Sequence, residues 1–383
     1  MRNFVCALLI VSLFLCATSA NLQINAQGQE MDEQIIMSEE EERQARSNIA
    51  FTNLMIAFSE AGRFEIGSHY PDYYAGAYID DEGGLIILTK HISETDKSQI
   101  KLICSGADLF FEEAQFSYNE LIEYMMLIDS RLEDLREKKG KEIYAYSVSI
   151  LDNDNMISIG LPNGLSEDRI KAIVDSIPDQ VYSIYQIPDQ FELQSGPGGS
   201  ITSWGGDASY AYKATLSYGG STFVGLVTAA HVLQDVGDTV WQGVTDIGIV
   251  KLMKNSGNVD AAFITLETPS NFNNLIGTIG LHSGVTVYPA VGSTIMKKGS
   301  YGTSSGTVIS IQNTTYWAED GNTMYNLLAH TASSVNGDSG GLIYTWYNSI
   351  SYGVVGIIRG RLNSTGYYYA TKASNLPWSI SVY

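Results

Sequence analysis

Across 383 residues the chain carries 42 acidic side chains against 22 basic ones, a formal charge of −20. That balance excludes a nucleic-acid binder working through a basic groove. Three cysteines, two of them (Cys6 and Cys16) in the first 20 residues, exclude a disulfide scaffold, a cysteine-built zinc site and a thiol redox pair. The charge is placed unevenly: residues 1–200 hold 33 acidic and 14 basic side chains, residues 201–383 only 9 and 8. Such a length predicts two domains with extras rather than one core.

Residues 1–20 have the layout of a secretory signal peptide, with Arg2, an apolar run over 4–15 and the small residues Ala17-Thr18-Ser19-Ala20. The run is too short to span a bilayer, and no later run is long and apolar enough. The mature product is therefore expected to be a soluble monomer, released to the medium or the periplasm and not held at a membrane after signal cleavage.

Residues 30–62 read as a helix, with Glu39-Glu40-Glu41-Glu42-Arg43 as a solvated face and Ile49, Leu54, Met55 and Phe58 as its apolar side. Apolar runs at 73–79 and 85–88 flank the turn Asp80-Asp81-Glu82-Gly83-Gly84 and predict a hairpin. Helices at about 93–101 and 117–138 follow. Cys104 is unpaired within the chain and reads as a small buried residue. A second hairpin spans 143–159 around Asp152-Asn153-Asp154-Asn155, with a helix at about 166–175 and a strand at about 180–185. Two hairpin-then-helix units suggest a duplicated α+β module.

The stretch Gln194-Ser195-Gly196-Pro197-Gly198-Gly199-Ser200 reads as a linker. Beyond it come short alternating runs rich in Gly, Ser, Thr, Tyr and Val, with no long helix. The expected domains are a signal peptide at 1–20, an acidic α+β region at 21–197 and an all-β domain at 198–383, a sandwich or barrel pair.

Acyl transfer by serine needs an imidazole to take the hydroxyl proton, a carboxylate to fix the imidazole tautomer and backbone donors where negative charge develops. The all-β half offers each. In Gly337-Asp338-Ser339-Gly340-Gly341 the glycines permit a tight turn that aims the amides of Gly337 and Ser339 at one point, an oxyanion hole, with Ser339 as nucleophile. Gly225-Leu226-Val227-Thr228-Ala229-Ala230-His231 ends an apolar strand in small residues that leave room for an imidazole. Asp260, at the start of Asp260-Ala261-Ala262-Phe263-Ile264, stands where an acid can be desolvated. Its rival Asp246 lies 15 residues past His231, too little chain for the strands between. His282 and His330 read as surface or core residues.

With these motifs in the order His, Asp, Ser, residues 205–383 resemble the chymotrypsin-like serine peptidases, in particular the bacterial secreted branch of α-lytic protease and the streptogrisins. The resemblance implies two packed antiparallel six-stranded β-barrels with the active site between them, and protein or peptide substrates. Tyr74-Ala75-Gly76-Ala77-Tyr78-Ile79-Asp80 and Gly84-Leu85-Ile86-Ile87 are similar to the pro-regions of that branch, which assist folding and inhibit in cis. By the same resemblance Ser333 forms the pocket base, the strand at Arg359, Gly360 and Arg361 lines the pocket, and Asp338 is paired by a basic side chain, with Lys297 the best match and Arg359 the next. Relatives carry Ser where Arg359 falls and a small residue where Arg361 falls. An inward arginine would favour acidic substrates, and outward arginines would face solvent.

The function expected is thus a secreted, self-processing serine endopeptidase that requires no cofactor and holds no metal. The alternatives are an inactive homologue acting as a binding module and a β-rich adhesive protein. Asn313 and Asn363 fit the glycosylation acceptor pattern.

Overall fold

Ser38 caps the first described helix. Its hydroxyl accepts the Glu41 amide at 3.2 Å, and the Glu41 carboxylate accepts the Ser38 amide at 2.8 Å. The acidic run is therefore the opening turn of the helix Glu39–Phe58, where four carboxylates meet the positive end of its dipole. The helix buries Ala50, Phe51, Leu54 and Met55.

In this computed structural model the described residues are 37–59, 70–138, 146–162, 165–187, 191–193, 200–203, 206–242, 245–276, 279–317, 320–362 and 367–383. The expected signal peptide, the linker at 194–199 and Asn363 lie outside them. No described helix is long and apolar enough to cross a membrane.

The acidic region contains two units of one design. Tyr74–Ile79 pairs antiparallel with Leu85–Thr89, the helix Glu94–Ile103 crosses, and Leu109–Glu113 returns parallel to the second strand. Likewise Ser147–Leu151 pairs antiparallel with Met156–Pro162, the helix Glu167–Val174 crosses, and Tyr182–Ile187 returns parallel. The long helix Tyr118–Lys138 lies between the units in sequence. The strand Leu109–Glu113 escapes the sequence pattern because Leu-Phe-Phe-Glu-Glu has no period-two alternation.

Among the described residues after 200, helix is limited to short turns at Pro269–Asn271 and Ala373–Asn375. One sheet runs through eight strands in the order Ser379–Val382, Tyr212–Tyr218, Ser221–Thr228, Val259–Leu266, Thr245–Ser256, Thr239–Gln242, Ser200–Ser203 and Gly206–Ser209. The other contains a closed ring of six: Thr294–Gly299, Gly302–Trp317, Asn322–His330, Tyr367–Lys372, Ser351–Leu362 and Leu342–Asn348, which pairs back onto the first. An all-β half built of two barrel-like antiparallel sheets behind an α+β region is the fold class expected. The first sheet has two strands more than six.

The α+β region is knitted onto the second sheet. Ser147, Val148 and Ser149 pair with Thr315, Thr314 and Asn313 of the strand Gly302–Trp317. The amide of Ile79 donates to the carbonyl of Val291 at 2.7 Å, and Ser293 Oγ donates to Asn48 Oδ1 at 2.6 Å. One core runs through both regions, from Phe51, Tyr74 and Leu121 to Ile343 and Ile358. Asn313 is buried in this seam, with its side-chain amide donating to Ser147 Oγ at 3.3 Å, so it is closed to glycosylation in this form.

Candidate active site

Three segments meet where the two sheets abut. The strand Ser221–Thr228 carries the chain to Ala229, Ala230 and His231, and its neighbour Val259–Leu266 begins beside it with Asp260. Gly225 makes that pairing possible, since a Cβ there would stand 2.1 Å from the carbonyl oxygen of Ile264. Ser339 comes from the connection between Asn322–His330 and Leu342–Asn348 in the closed ring. The Gly337-to-Gly341 turn is anchored on the first sheet: Ser209 N donates to Ser339 O and Ser209 Oγ to Gly337 O, each at 2.8 Å. Gly340 has φ +83°, and a Cβ there would lie 2.2 Å from both Ser209 O and Thr228 Oγ1, so only glycine fits.

The structure brings His231, Asp260 and Ser339 into one line. His231 Nδ1 lies 2.6 Å from Asp260 Oδ2, and His231 Nε2 lies 3.1 Å from Ser339 Oγ. Ser339 Oγ is also within 3.0 Å of the Arg359 carbonyl, to which it can donate. Asp260 Oδ1 accepts the amides of Ala230 at 2.8 Å and His231 at 3.0 Å. Asp246 lies apart and exposed, accepting the Gly248 amide at 3.0 Å. The amides of Gly337 and Ser339 have no hydrogen-bond acceptor recorded among the described residues.

Arg359 occupies none of the three places expected for it. Its side chain lines no pocket, faces no solvent and does not pair with Asp338. It is fully buried behind the triad, with Nη1 2.6 Å from Asp260 Oδ2 and 2.9 Å from Asn255 Oδ1, and Nη2 2.6 Å from Asp320 Oδ2. The guanidinium lies 4.9 Å from the ring of Trp317. A buried cation is costly unless paired, and only these two carboxylates, from separate segments, offset it. Burial alone would raise the Asp260 carboxyl; the charges of His231 and Arg359, with hydrogen bonds from His231, hold it well below the usual carboxylate range.

Asp338 meets Lys297. The ammonium lies 2.6 Å from Asp338 Oδ2, both side chains being buried. The same oxygen accepts the Val335 amide at 2.9 Å and Ser334 Oγ at 3.2 Å. Gly299 passes so close that a Cβ there would lie 2.1 Å from Asp338 Oδ1.

Of the other expected pocket residues, Ser333 is exposed and its carbonyl accepts Ser304 Oγ at 2.6 Å. Gly360 and Arg361 present a strand edge, and it is taken: Leu193, Glu192 and Phe191 pair antiparallel with Gly360, Arg361 and Leu362. His282 lies tilted against the ring of Tyr347, and His330 is core, its imidazole pushed down to about 3 chiefly by burial. Among the described residues no cluster of His, Cys, Asp or Glu could hold a metal ion. Sequence reasoning missed Asp320, Asn255 and Thr371, whose hydroxyl accepts the Asp260 amide at 3.1 Å. The available signal was Arg359 itself, a charge following Ile357 and Ile358 that called for a buried acid.

A two-barrel β fold with His, Asp and Ser meeting between its sheets defines the chymotrypsin-like class. A family model described as a Pro-like N-terminal domain matches residues 34–115. Among curated proteins there is no match. Similar solved structures include a glutamic acid specific serine protease described as using a histidine triad in substrate binding, 22% identical over 49% of this chain and 99% of that one, with a TM-score of 0.38. The Nocardiopsis protease is 22% identical over 49% and 96%, with a TM-score of 0.37. Thermobifida fusca protease A is 22% identical over 46% and 90%, with a TM-score of 0.36.

Proposed function

We propose that this chain is the precursor of a secreted, monomeric serine endopeptidase, and the observation that carries the proposal is the hydrogen-bonded line from Asp260 through His231 to Ser339. Asp260 holds the imidazole with Nδ1–H toward it, which leaves the Nε2 lone pair facing Ser339 Oγ. As Oγ attacks a substrate carbonyl, His231 takes its proton and then gives it to the leaving amine. The amides of Gly337 and Ser339 meet the charge that develops on the carbonyl oxygen. The acyl-enzyme is then cleared by water activated by the same base.

The substrate class is an extended polypeptide. The edge at Gly360 to Leu362 accepts a strand by backbone hydrogen bonds, and the last described strand of the acidic region, Phe191–Leu193, already lies along it. That placement supports inhibition in cis: the edge that would hold a substrate holds the pro-region's own chain, followed immediately by the linker. Secretion is the part of the proposal carried by residues 1–20.

Full-length protein is expected to nick itself between residues 193 and 205. Ser339→Ala should stay intact, and wild type should be labelled at Ser339 by a fluorophosphonate. N-terminal sequencing and mass spectrometry read both results. A wild type that stays whole and unlabelled would overturn the peptidase reading in favour of the inactive binding module.

A further inference from the structure

The groups that bear on the charge of His231 form a short list. Asp260 touches its ring, and behind Asp260 stand Arg359 and Asp320. On the loop of His231 itself, Asp235 is exposed and Asp238 is half-buried, its Oδ2 accepting the Asp235 amide at 3.0 Å. Ser339, on the far side of the ring, carries no charge.

Asp260 Oδ2 is shared. The imidazole Nδ1 and the guanidinium Nη1 each lie 2.6 Å from that one oxygen. The carboxylate that should stabilise the imidazolium has already given part of its field to a permanent cation. Asp320 works in the opposite sense, since it engages the other arm of the guanidinium. Burial raises the Asp320 carboxyl, but Arg359, Asn255 and the Asn322 amide together bring it below its ordinary value, so it stays ionised. With neutral His231 the buried set carries one net negative charge, and with imidazolium it carries none.

We infer that Arg359 and Asp320 form an opposed pair of positioning residues that sets the pH at which His231 becomes a base, Arg359 extending its working range toward acid and Asp320 limiting that extension. This rests on the reading of Asp260, His231 and Ser339 as a catalytic triad. A permanent cation behind Asp260 disfavours the protonated imidazole, so the free base persists at lower pH; an anion behind that cation restores part of the preference for imidazolium. The guanidinium also fixes the carboxylate in place, since two arms, an amide partner and an aromatic face leave it no second position.

The test follows the titration of His231 by ¹⁵N NMR in full-length protein on a Ser339→Ala background, which removes self-cleavage. Arg359→Gln is expected to raise the midpoint by about one pH unit, the effect of a unit charge a few ångströms away. Asp320→Asn is expected to lower it by about half a unit, its charge being farther off. The double variant should fall between the two. Arg359→Lys keeps the charge and should titrate near wild type, and Asp320→Asn, at the partly exposed end of the network, keeps the test open if Arg359→Gln does not fold. Opposite displacements support the inference, because a loss of packing alone would not move the midpoint in opposite directions. Midpoints that stay put, or that move the same way in Arg359→Gln and Asp320→Asn, overturn it. Fluorophosphonate labelling of the Ser339 chain answers the separate question of the triad reading, so the two failures are distinguishable.

Discussion

Asp260→Asn is expected to slow self-cleavage by about 10⁴-fold, the scale on which losing the tautomer-fixing carboxylate acts in a triad of this kind. The carboxamide can turn its NH₂ toward Nδ1, which favours the tautomer with the proton on Nε2 and leaves Ser339 without a base. In this chain the substitution does more. It removes one of the two carboxylates that offset the buried Arg359, and it weakens the acceptor for the amides of Ala230 and His231. A stability loss of about 3 kcal/mol should therefore accompany the loss of rate. The first-order appearance of the nicked product, measured beside a denaturant titration, separates the two effects. A variant that folds normally and cuts within tenfold of wild type would show that Asp260 is not the orienting acid.

The segments of the site announce themselves in the sequence while their electrostatics do not, and the difference is physical. His231 and Ser339 are flanked by small residues because the backbone must pass close to other backbone, and steric demand of that kind is local. Gly340, pressed between Ser209 and Thr228, is legible as a glycine beside a serine without knowledge of its neighbours. Arg359 is different. Its environment is assembled from Asp260, Asn255, Asp320 and Trp317, four residues of other strands and turns, and no spacing along the chain encodes their meeting. A linear reading offers it only solvent, the pocket or, through the family likeness, Asp338. Lys297 was accessible only through the likeness to a family, for the same reason. The fold shows the same division: hairpins and helices follow from periodicity, whereas Leu109–Glu113 is a strand because Leu85–Thr89 offers it an edge, a tertiary cause.

The join between the two regions also follows from edges. Past Thr307 the strand Gly302–Trp317 has left its pairing with Thr294–Gly299, and Ser147–Leu151 of the acidic region covers part of the edge this opens. Phe191–Leu193 likewise occupies the edge beside the nucleophile. The inhibition proposed above would use the same device as this join: a strand lent to an open edge.

Lys297→Met should destabilise the protein by about 3–5 kcal/mol, the cost of leaving a buried carboxylate without its counterion. The methionine fills most of the lysine's volume, so the loss reports charge rather than a cavity. Asp338 keeps the Val335 amide, Ser334 Oγ and the Tyr301 amide as donors, but none of these carries a positive charge. The strain falls on the turn that holds Ser339, because Asp338 is its immediate neighbour and its backbone bonds to Val335 and Gly341 shape that turn. Lys297→Met/Asp338→Asn removes both charges and should recover most of the stability, since a neutral pair no longer pays desolvation. Denaturant titrations in the Ser339→Ala background measure all four members of the cycle without interference from self-cleavage. A single variant as stable as its parent, or a double variant as unstable as the single, would show that the 2.6 Å contact contributes nothing to holding the nucleophile turn.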